Sequence, residues 1–262
     1  MLEDFKHELQ STDIEGQLAK QLDALDPTQH LLVAFVTEWA EKRLRWRERS
    51  QRQFLTAPPK LRLLVLGTAG TGKTHTAKCA IMRVRRTLGS YDSVLTMAFS
   101  GVASANLGSG SRTIDSIFHT NGQKAGEDLT SEDLDELVEA LRPVELLLID
   151  EISTCGAVAL EIISRRLHQV ARVLWRERFH TEPPDDLGPF GGIGVVLMGD
   201  FAQLPLVLST SLLSSMPLME RQSQTAASFK LLALAGRQTF QTFEDVIRLR
   251  RIHRQKGVPS PP

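Results

Sequence analysis

Eight consecutive residues, Gly67-Thr68-Ala69-Gly70-Thr71-Gly72-Lys73-Thr74, satisfy the pattern G-x-x-x-x-G-K-[ST]. Glycines let a backbone wrap closely around phosphate oxygens, and amides at the start of a following helix add donors and a positive dipole end. In such a loop Lys73 neutralises the β- and γ-phosphates and Thr74 holds Mg2+, so the implied chemistry is binding of a nucleoside triphosphate. The bland alternative is a Gly-rich turn without a ligand. A second group follows the apolar run Leu146–Ile149, where Asp150 can enter a Mg2+ shell and Glu151 can take a proton from an attacking water, or orient it. Two acids after a strand are commonly helix caps; beside a phosphate loop they read as metal ligand and catalytic base. A third group, Gly199-Asp200-Phe201-Ala202-Gln203-Leu204-Pro205, follows Val195–Met198. Gln203 there is either a γ-phosphate or water contact, or a surface turn residue.

All three groups come directly after short apolar runs. Strands are expected at Leu61–Leu66, Val94–Phe99, Glu145–Ile149 and Ile193–Met198. Between them lie helical patterns. One starts at Asp26 as N-cap with Pro27 in the first turn, continues through Leu31, Leu32, Phe35, Val36 and Trp39, and stops at Ala57-Pro58-Pro59. Others run from Lys73 to about Thr87, after Ser100-Gly101, over residues 125–143 and over 156–178. Gly108–Ser111 interrupts the pattern before Thr113–His119. Fully apolar strands alternating with helices predict an α/β fold whose parallel sheet is covered on both faces. Ligands of such sheets collect at the carboxyl ends of the strands, where the polar groups above fall.

Composition narrows the function further. The chain has 262 residues, 42% hydrophobic and 24% charged, which allows an ordinary core and excludes wholesale disorder. With 31 basic and 31 acidic residues the net charge is zero, excluding a globally basic DNA coat. No run approaches the roughly 20 apolar residues of a membrane span, and the charged N-terminus lacks a signal-peptide pattern. Cys79 and Cys155 stand far apart without metal-ligand spacing, so an intracellular, reduced protein without structural zinc is expected.

Taken together, the motifs resemble the Pif-like DNA helicases of superfamily 1B (Pif/RecD type), in particular the Helitron-associated branch. GTAGTGKT looks like helicase motif I, MAFSGVASANLGSGSRTIDSIFH like motif Ia with its following segment, LLLIDEIS like motif II and FGGIGVVLMGDFAQLPLV like motif III. VIRLRRIHRQ ends in Arg254-Gln255, similar to the Arg-Gln of motif IV, and Leu25–Gln29 is similar to an adenine-contacting Q motif. The resemblance covers about Leu25 to Lys256. It implies a P-loop NTPase of RecA-like, three-layer α/β/α architecture with a mostly parallel central sheet, and ATP with Mg2+ as ligands. By the same resemblance Gln29 contacts adenine; Gly67, Thr68, Ala69, Gly70, Thr71, Gly72, Lys73 and Thr74 hold the phosphates; and Thr74 and Asp150 hold the metal. Glu151 is then the base, Gln203 the γ-phosphate sensor and Arg254 a further γ-phosphate contact. Ser100, Gly101 and Thr113 touch single-stranded DNA. Roles in DNA repair, recombination and telomere maintenance, in a nucleus or mitochondrion or in a bacterial cytoplasm, go with the family. The chain departs from the pattern at Phe99, Asp115, Thr154 and Leu206, none of them an ATPase residue.

The expected organisation is an N-terminal helical segment at 1–57, a RecA-like ATP-binding domain at 58–256 and a disordered tail at 257–262. Only 59 residues follow Gln203, fewer than a second RecA-like domain of about 100–150 residues needs. The expectation is therefore slow hydrolysis, weak single-stranded DNA binding and no unwinding by these residues alone. The competing reading is a catalytically weak, nucleotide-dependent binding or regulatory module. Lys42–Arg52, and Arg165, Arg166, Arg172, Arg176 and Arg178, read as solvated helix faces, the first with Glu41 and Glu48 as partners. Trp39, Trp46 and Trp175 read as packing residues, His119 and His253 as structural, and Cys79 as a buried small residue.

Overall fold

The computed structural model describes residues 12–50, 57–108, 110–120, 127, 129–185, 187–201, 212 and 224–253. Among them one six-stranded sheet is formed by β1 (Arg62–Gly67), β2 (Val94–Ala98), β3 (Arg112–Thr113), β4 (Leu146–Asp150), β5 (Gly194–Gly199) and β6 (Asp245–Leu249). Their order is β3-β2-β4-β5-β1-β6, and every pairing is parallel. The helices are α1 (Thr12–Asp23), α2 (Pro27–Ser50), α3 (Lys73–Leu88), α4 (Gly101–Leu107), α5 (Ile114–Phe118), α6 (Ser131–Leu141), α7 (Ala157–Phe179) and α8 (Gln224–Gln241).

The central strands β1, β4 and β5 are largely apolar because successive residues serve two cores. Leu63 and Val65 of β1, Leu146 and Leu148 of β4, and Val196 and Met198 of β5 pack with Leu32, Val36 and Trp39 of α2 and Ala77, Ile81 and Val84 of α3. The alternate residues Leu64, Leu147, Ile149, Val195 and Leu197 pack against Ile117 of α5, Leu137 of α6, Leu160 and Ile163 of α7, and Ala233 of α8. Each such side chain, once fully buried, stabilises the fold by about 1.5–3 kcal/mol. The result is the expected three-layer α/β/α arrangement, and α2 shares its core with the sheet.

Local signals start and stop the helices. Asp26-Pro27-Thr28-Gln29 closes a capping box: Asp26 Oδ1 accepts from the Thr28 N–H (2.8 Å) and the Gln29 N–H (3.1 Å), and Gln29 Oε1 accepts from the Asp26 N–H (3.0 Å). At the end of α3 Gly89 turns left-handed (φ 70°), its N–H reaching the Arg86 carbonyl (3.2 Å) while the Ser90 N–H reaches that of Arg85 (3.1 Å).

Three elements differ from expectation. β3 is a two-residue strand paired to Met97 and Ala98, too short to show a period. β6 lies at the sheet edge, with Val246 45% exposed, so the sequence lacks the apolar run of a central strand. α8 carries Gly236 in its middle, which reads as a breaker in sequence; here it allows close approach to α7, because a methyl on Gly236 would overlap the Ala157 carbonyl.

The basic helix face also needs correction. Lys42 and Arg45 do pair along the helix, with Glu38 (2.7 Å) and Glu41 (3.8 Å). Arg43 and Arg47 instead fold inward onto Glu145, at 2.8 and 2.9 Å, just before β4. On α7, Arg165 pairs with Glu161 (2.8 Å), and Arg172 and Arg176 pair with Glu182 (3.7 and 2.9 Å), but Arg166 is buried. Trp39 and Trp175 are buried as expected, the Trp39 indole donating to the Pro59 carbonyl (3.0 Å). Cys79 is buried too.

The tight α7–α8 crossing makes a specific prediction. Gly236→Ala should destabilise the protein by about 1–3 kcal/mol through overpacking against backbone, read as a lower urea midpoint, whereas Ala235→Gly should cost no more than about 1 kcal/mol. An unchanged midpoint for Gly236→Ala would show that the helices are not in contact there.

Candidate active site

Register brings the polar groups to one edge. Leu66 lies opposite Gly199 and Ala98 opposite Asp150, so β1, β2, β4 and β5 all end at one level. The loop Gly67–Gly72 leaves β1 there and enters α3 through Gly72, whose left-handed backbone (φ 79°) suits glycine. Lys73 Nζ turns back onto the loop and donates to the Gly67 carbonyl (2.5 Å) and the Thr68 carbonyl (3.1 Å). The buried Thr71 hydroxyl donates to the same Thr68 carbonyl (2.8 Å). The loop thus satisfies itself through contacts that phosphate oxygens would replace.

Charges face one another across this edge. Burial pushes the Lys73 ammonium down from its ordinary range, opposed by attraction to Asp150 and Asp200. Burial likewise raises the Asp150 carboxyl, against the Glu151 N–H (2.8 Å to Oδ1) and the charge of Lys73. Lys73 and Asp150, distant in sequence, therefore converge as expected, joined by Asp200 from the end of β5. Glu151 sits in the left-handed region (φ 58°, ψ 44°), its carbonyl accepting from the Thr154 N–H (2.9 Å) and hydroxyl (2.7 Å). Its Oε2 accepts from the Ser100 hydroxyl (3.2 Å). Thr74 opens α3 beside Lys73. The donor set suits Mg2+: a hydroxyl and a carboxylate are hard oxygen ligands, and Mg2+ takes few protein ligands beside substrate phosphates.

Other expected site residues are placed differently. Gln29 is buried with its amide engaged: Oε1 completes the capping box and Nε2 donates to the Thr71 carbonyl (3.0 Å). Through Nε2 the side chain braces the loop. Ser100 caps α4, accepting from the Ala103 N–H (3.1 Å), and Gly101 is the first residue of that helix. Thr113 caps α5, accepting from the Ser116 N–H (3.4 Å). Gln203 and Arg254 lie outside the described residues.

Sequence reasoning missed the clamp on the outer turn of the loop. His253 donates its backbone N–H to the Gly70 carbonyl (2.8 Å), and its Nε2 meets Asp26 Oδ2 at 3.1 Å. A pair 227 residues apart has no local pattern to reveal it. A cavity of about 530 Å³, lined in part by Arg43, Trp46, Glu145, Trp175 and Arg178, opens at the opposite edge of the sheet. Arg43 is already paired with Glu145 there, and none of the loop residues lines it.

Residues 57–251 match the PIF1-like helicase family. The ATP-dependent DNA helicase Pif1 of Bdellovibrio bacteriovorus is 34% identical over 151 residues, covering 56% of this chain and 30% of the relative. The ATP-dependent DNA helicase RRM3 of Saccharomyces cerevisiae is 33% identical over 153 residues, 54% of this chain and 18% of the relative. In fold, the crystal structure of Pif1 helicase from Candida albicans superposes with a TM-score of 0.52 at 23% identity, over 89% of this chain and 41% of that one. The chain thus spans under a third of the length of these two curated relatives.

The clamp has a pH signature. Burial works to raise the Asp26 carboxyl, but hydrogen bonds from the Thr28 hydroxyl, the Gln29 amide, His253 and the Thr28 amide outweigh it and hold it at about 2 instead of 3.8. Stability from this depressed group is full above 3.8 and is lost as pH falls towards 2. Asp26→Asn keeps a capping side chain but removes the charge, and should cost about 1–2 kcal/mol at neutral pH. Melting temperatures should show the gap to wild type closing across that acid range; a gap independent of pH would mean the charge is not what holds the clamp.

Proposed function

The chain belongs to the PIF1-like helicase family, and on that premise we propose that it forms the ATP-binding motor domain of a DNA helicase. The observation that carries this reading is the convergence of Lys73, Asp150 and Asp200 on the phosphate loop at the ends of three neighbouring strands. In this role Lys73 leaves the Gly67 and Thr68 carbonyls for the β- and γ-phosphates, and the loop amides take the remaining oxygens. Thr74 and Asp150 hold Mg2+, which supplies charge neutralisation of the phosphates when bound. Glu151 accepts a proton from the water that attacks the γ-phosphorus, as the bond to the β–γ bridging oxygen breaks and ADP leaves with that electron pair. Gln203 and Arg254 are assigned to the γ-phosphate by their places in the family motifs. Gln29 is assigned to adenine by its place in the Q-motif-like segment, and its bond to the Thr71 carbonyl holds the loop in shape.

Single-stranded DNA is the assigned polymer partner, at Ser100, Gly101 and Thr113. These residues supply one side of a DNA path, so binding by them alone is weak, and unwinding is ascribed to the whole helicase with a second RecA-like domain. An intracellular setting goes with this reading and with two buried free cysteines. No described helix is long and apolar enough to cross a membrane.

Two variants test the assignment. Lys73→Ala should lose binding of a fluorescent ATP analogue. Glu151→Gln should retain that binding while phosphate release with single-stranded DNA falls roughly 10²–10⁴-fold. Phosphate release unchanged in both variants would sink the ATPase assignment, and tight nucleotide binding without turnover in wild type would favour the regulatory module.

A further inference from the structure

Ser100 stands where two parts of the site meet. Its Oγ accepts from the Ala103 N–H (3.1 Å), capping α4, and its proton goes to Glu151 Oε2 (3.2 Å). The main chain of Glu151 is fixed three times over: by its N–H to Asp150 Oδ1 and by the Thr154 N–H and hydroxyl on its carbonyl. That restraint maintains a left-handed conformation uncommon for a residue with a Cβ. The carboxylate has no such cage. Among the described residues its recorded side-chain partner is the Ser100 hydroxyl, across 51 positions of sequence.

The chemistry of that hydroxyl is decisive. Serine has one O–H donor. Its single proton makes one strong hydrogen bond, so the carboxylate of Glu151 and a phosphodiester oxygen compete for it. A phosphate at Ser100 also repels the neighbouring carboxylate, a repulsion that solvent screens at this exposed contact and that adds to the competition for the proton.

We propose that Ser100 is a positioning residue that latches Glu151 in the absence of DNA, and that a DNA phosphate releases the carboxylate to the attacking water by taking over the Ser100 proton. The latch rests on the ATPase reading above and adds the route by which the polymer governs hydrolysis. Idle turnover is low because the base is held towards β2, and it rises when DNA arrives because the phosphate competes for the same proton.

The test is phosphate release by the full chain, with and without a single-stranded oligonucleotide, for wild type, Ser100→Ala, Ser100→Gly and Ser100→Thr. Ser100→Ala and Ser100→Gly should raise the DNA-free kcat about 10-fold, part of the roughly 10²–10⁴ that a positioned base supplies. KM for ATP should stay unchanged, and the ratio of DNA-stimulated to DNA-free turnover should fall towards one. Ser100→Thr keeps both hydroxyl and cap and should restore the wild-type ratio. Glycine at an N-cap costs only a few tenths of a kcal/mol, so Ser100→Gly separates loss of the latch from loss of the helix start. A DNA-free rate unchanged or lowered in both variants, with wild type still stimulated by DNA, overturns the latch and leaves the ATPase reading standing. Wild type that releases no more phosphate than Glu151→Gln under either condition overturns both.

Discussion

Parallel pairing is the constraint from which the site follows. A strand that pairs in parallel with its neighbour must return by a crossover, so all strands end at the same edge. Here β1 pairs with β5 and β6, and β4 with β2 and β5, in registers that set Leu66 opposite Gly199, Gly67 opposite Leu249 and Asp150 opposite Ala98. Residues 150 and 200 meet through that alignment, and the loop after β1 turns residue 73 back towards them. A register slip of one residue in β4 would send Asp150 to the other face and its apolar neighbours to the wrong core, so the two cores that stabilise the sheet also fix the catalytic geometry.

At the carboxyl edge the chain occupies its own ligand positions. The half-buried Lys73 ammonium sits on the carbonyls of Gly67 and Thr68, which stand in for part of its hydration. Thr71 closes on Thr68, Glu151 accepts from Ser100, and Gln29 and His253 hold the outer turn of the loop from outside. Each inner bond joins two groups of the chain itself, and in the proposed role charged phosphate oxygens compete with it. The outer bonds, to Thr71 and Gly70, leave those positions free and keep the loop in a shape that needs little reorganisation on binding.

How much of this was visible in the sequence depended on the range of the interaction. Residues 67–74 and 150–151 were legible because phosphate and metal chemistry impose a contiguous pattern, and the central strands because double-sided burial leaves an apolar run. Gln29 was legible only as a pattern: D-x-x-Q serves a capping box as well as a nucleotide contact, and the tertiary bond to Thr71 has no local pattern to announce it. The inward turn of Arg43 and Arg47 was hidden, because Glu41 and Glu48 sit at plausible helical distances whereas Glu145 is about a hundred positions away. β6 and α8 were hidden for opposite reasons, the first by exposure at an edge and the second by a glycine needed for close packing rather than for a turn.

The amino edge of the sheet shows what the carboxyl edge gives up. Arg43 and Arg47 share Glu145 with side chains 12, 31 and 14% exposed, and buried Arg62 donates to the Leu61 carbonyl (2.6 Å), the Ile193 carbonyl (2.7 Å) and that of Pro189. Burial lowers Arg43 and takes Arg62 down to about 10, and Glu145 opposes the effect at Arg43. Breaking one member of such a buried pair costs about 3–5 kcal/mol, whereas an exposed pair such as Lys42–Glu38 contributes about 0–1. These ionic contacts lie at the edge away from the Gly67–Thr74 loop, fastening α2 to the starts of β4 and β5. Permanent charge pairs at the opposite edge would neutralise Lys73 and Asp150 for good. Placing rigidity at one end of each strand leaves the groups at the other end with partners they can exchange.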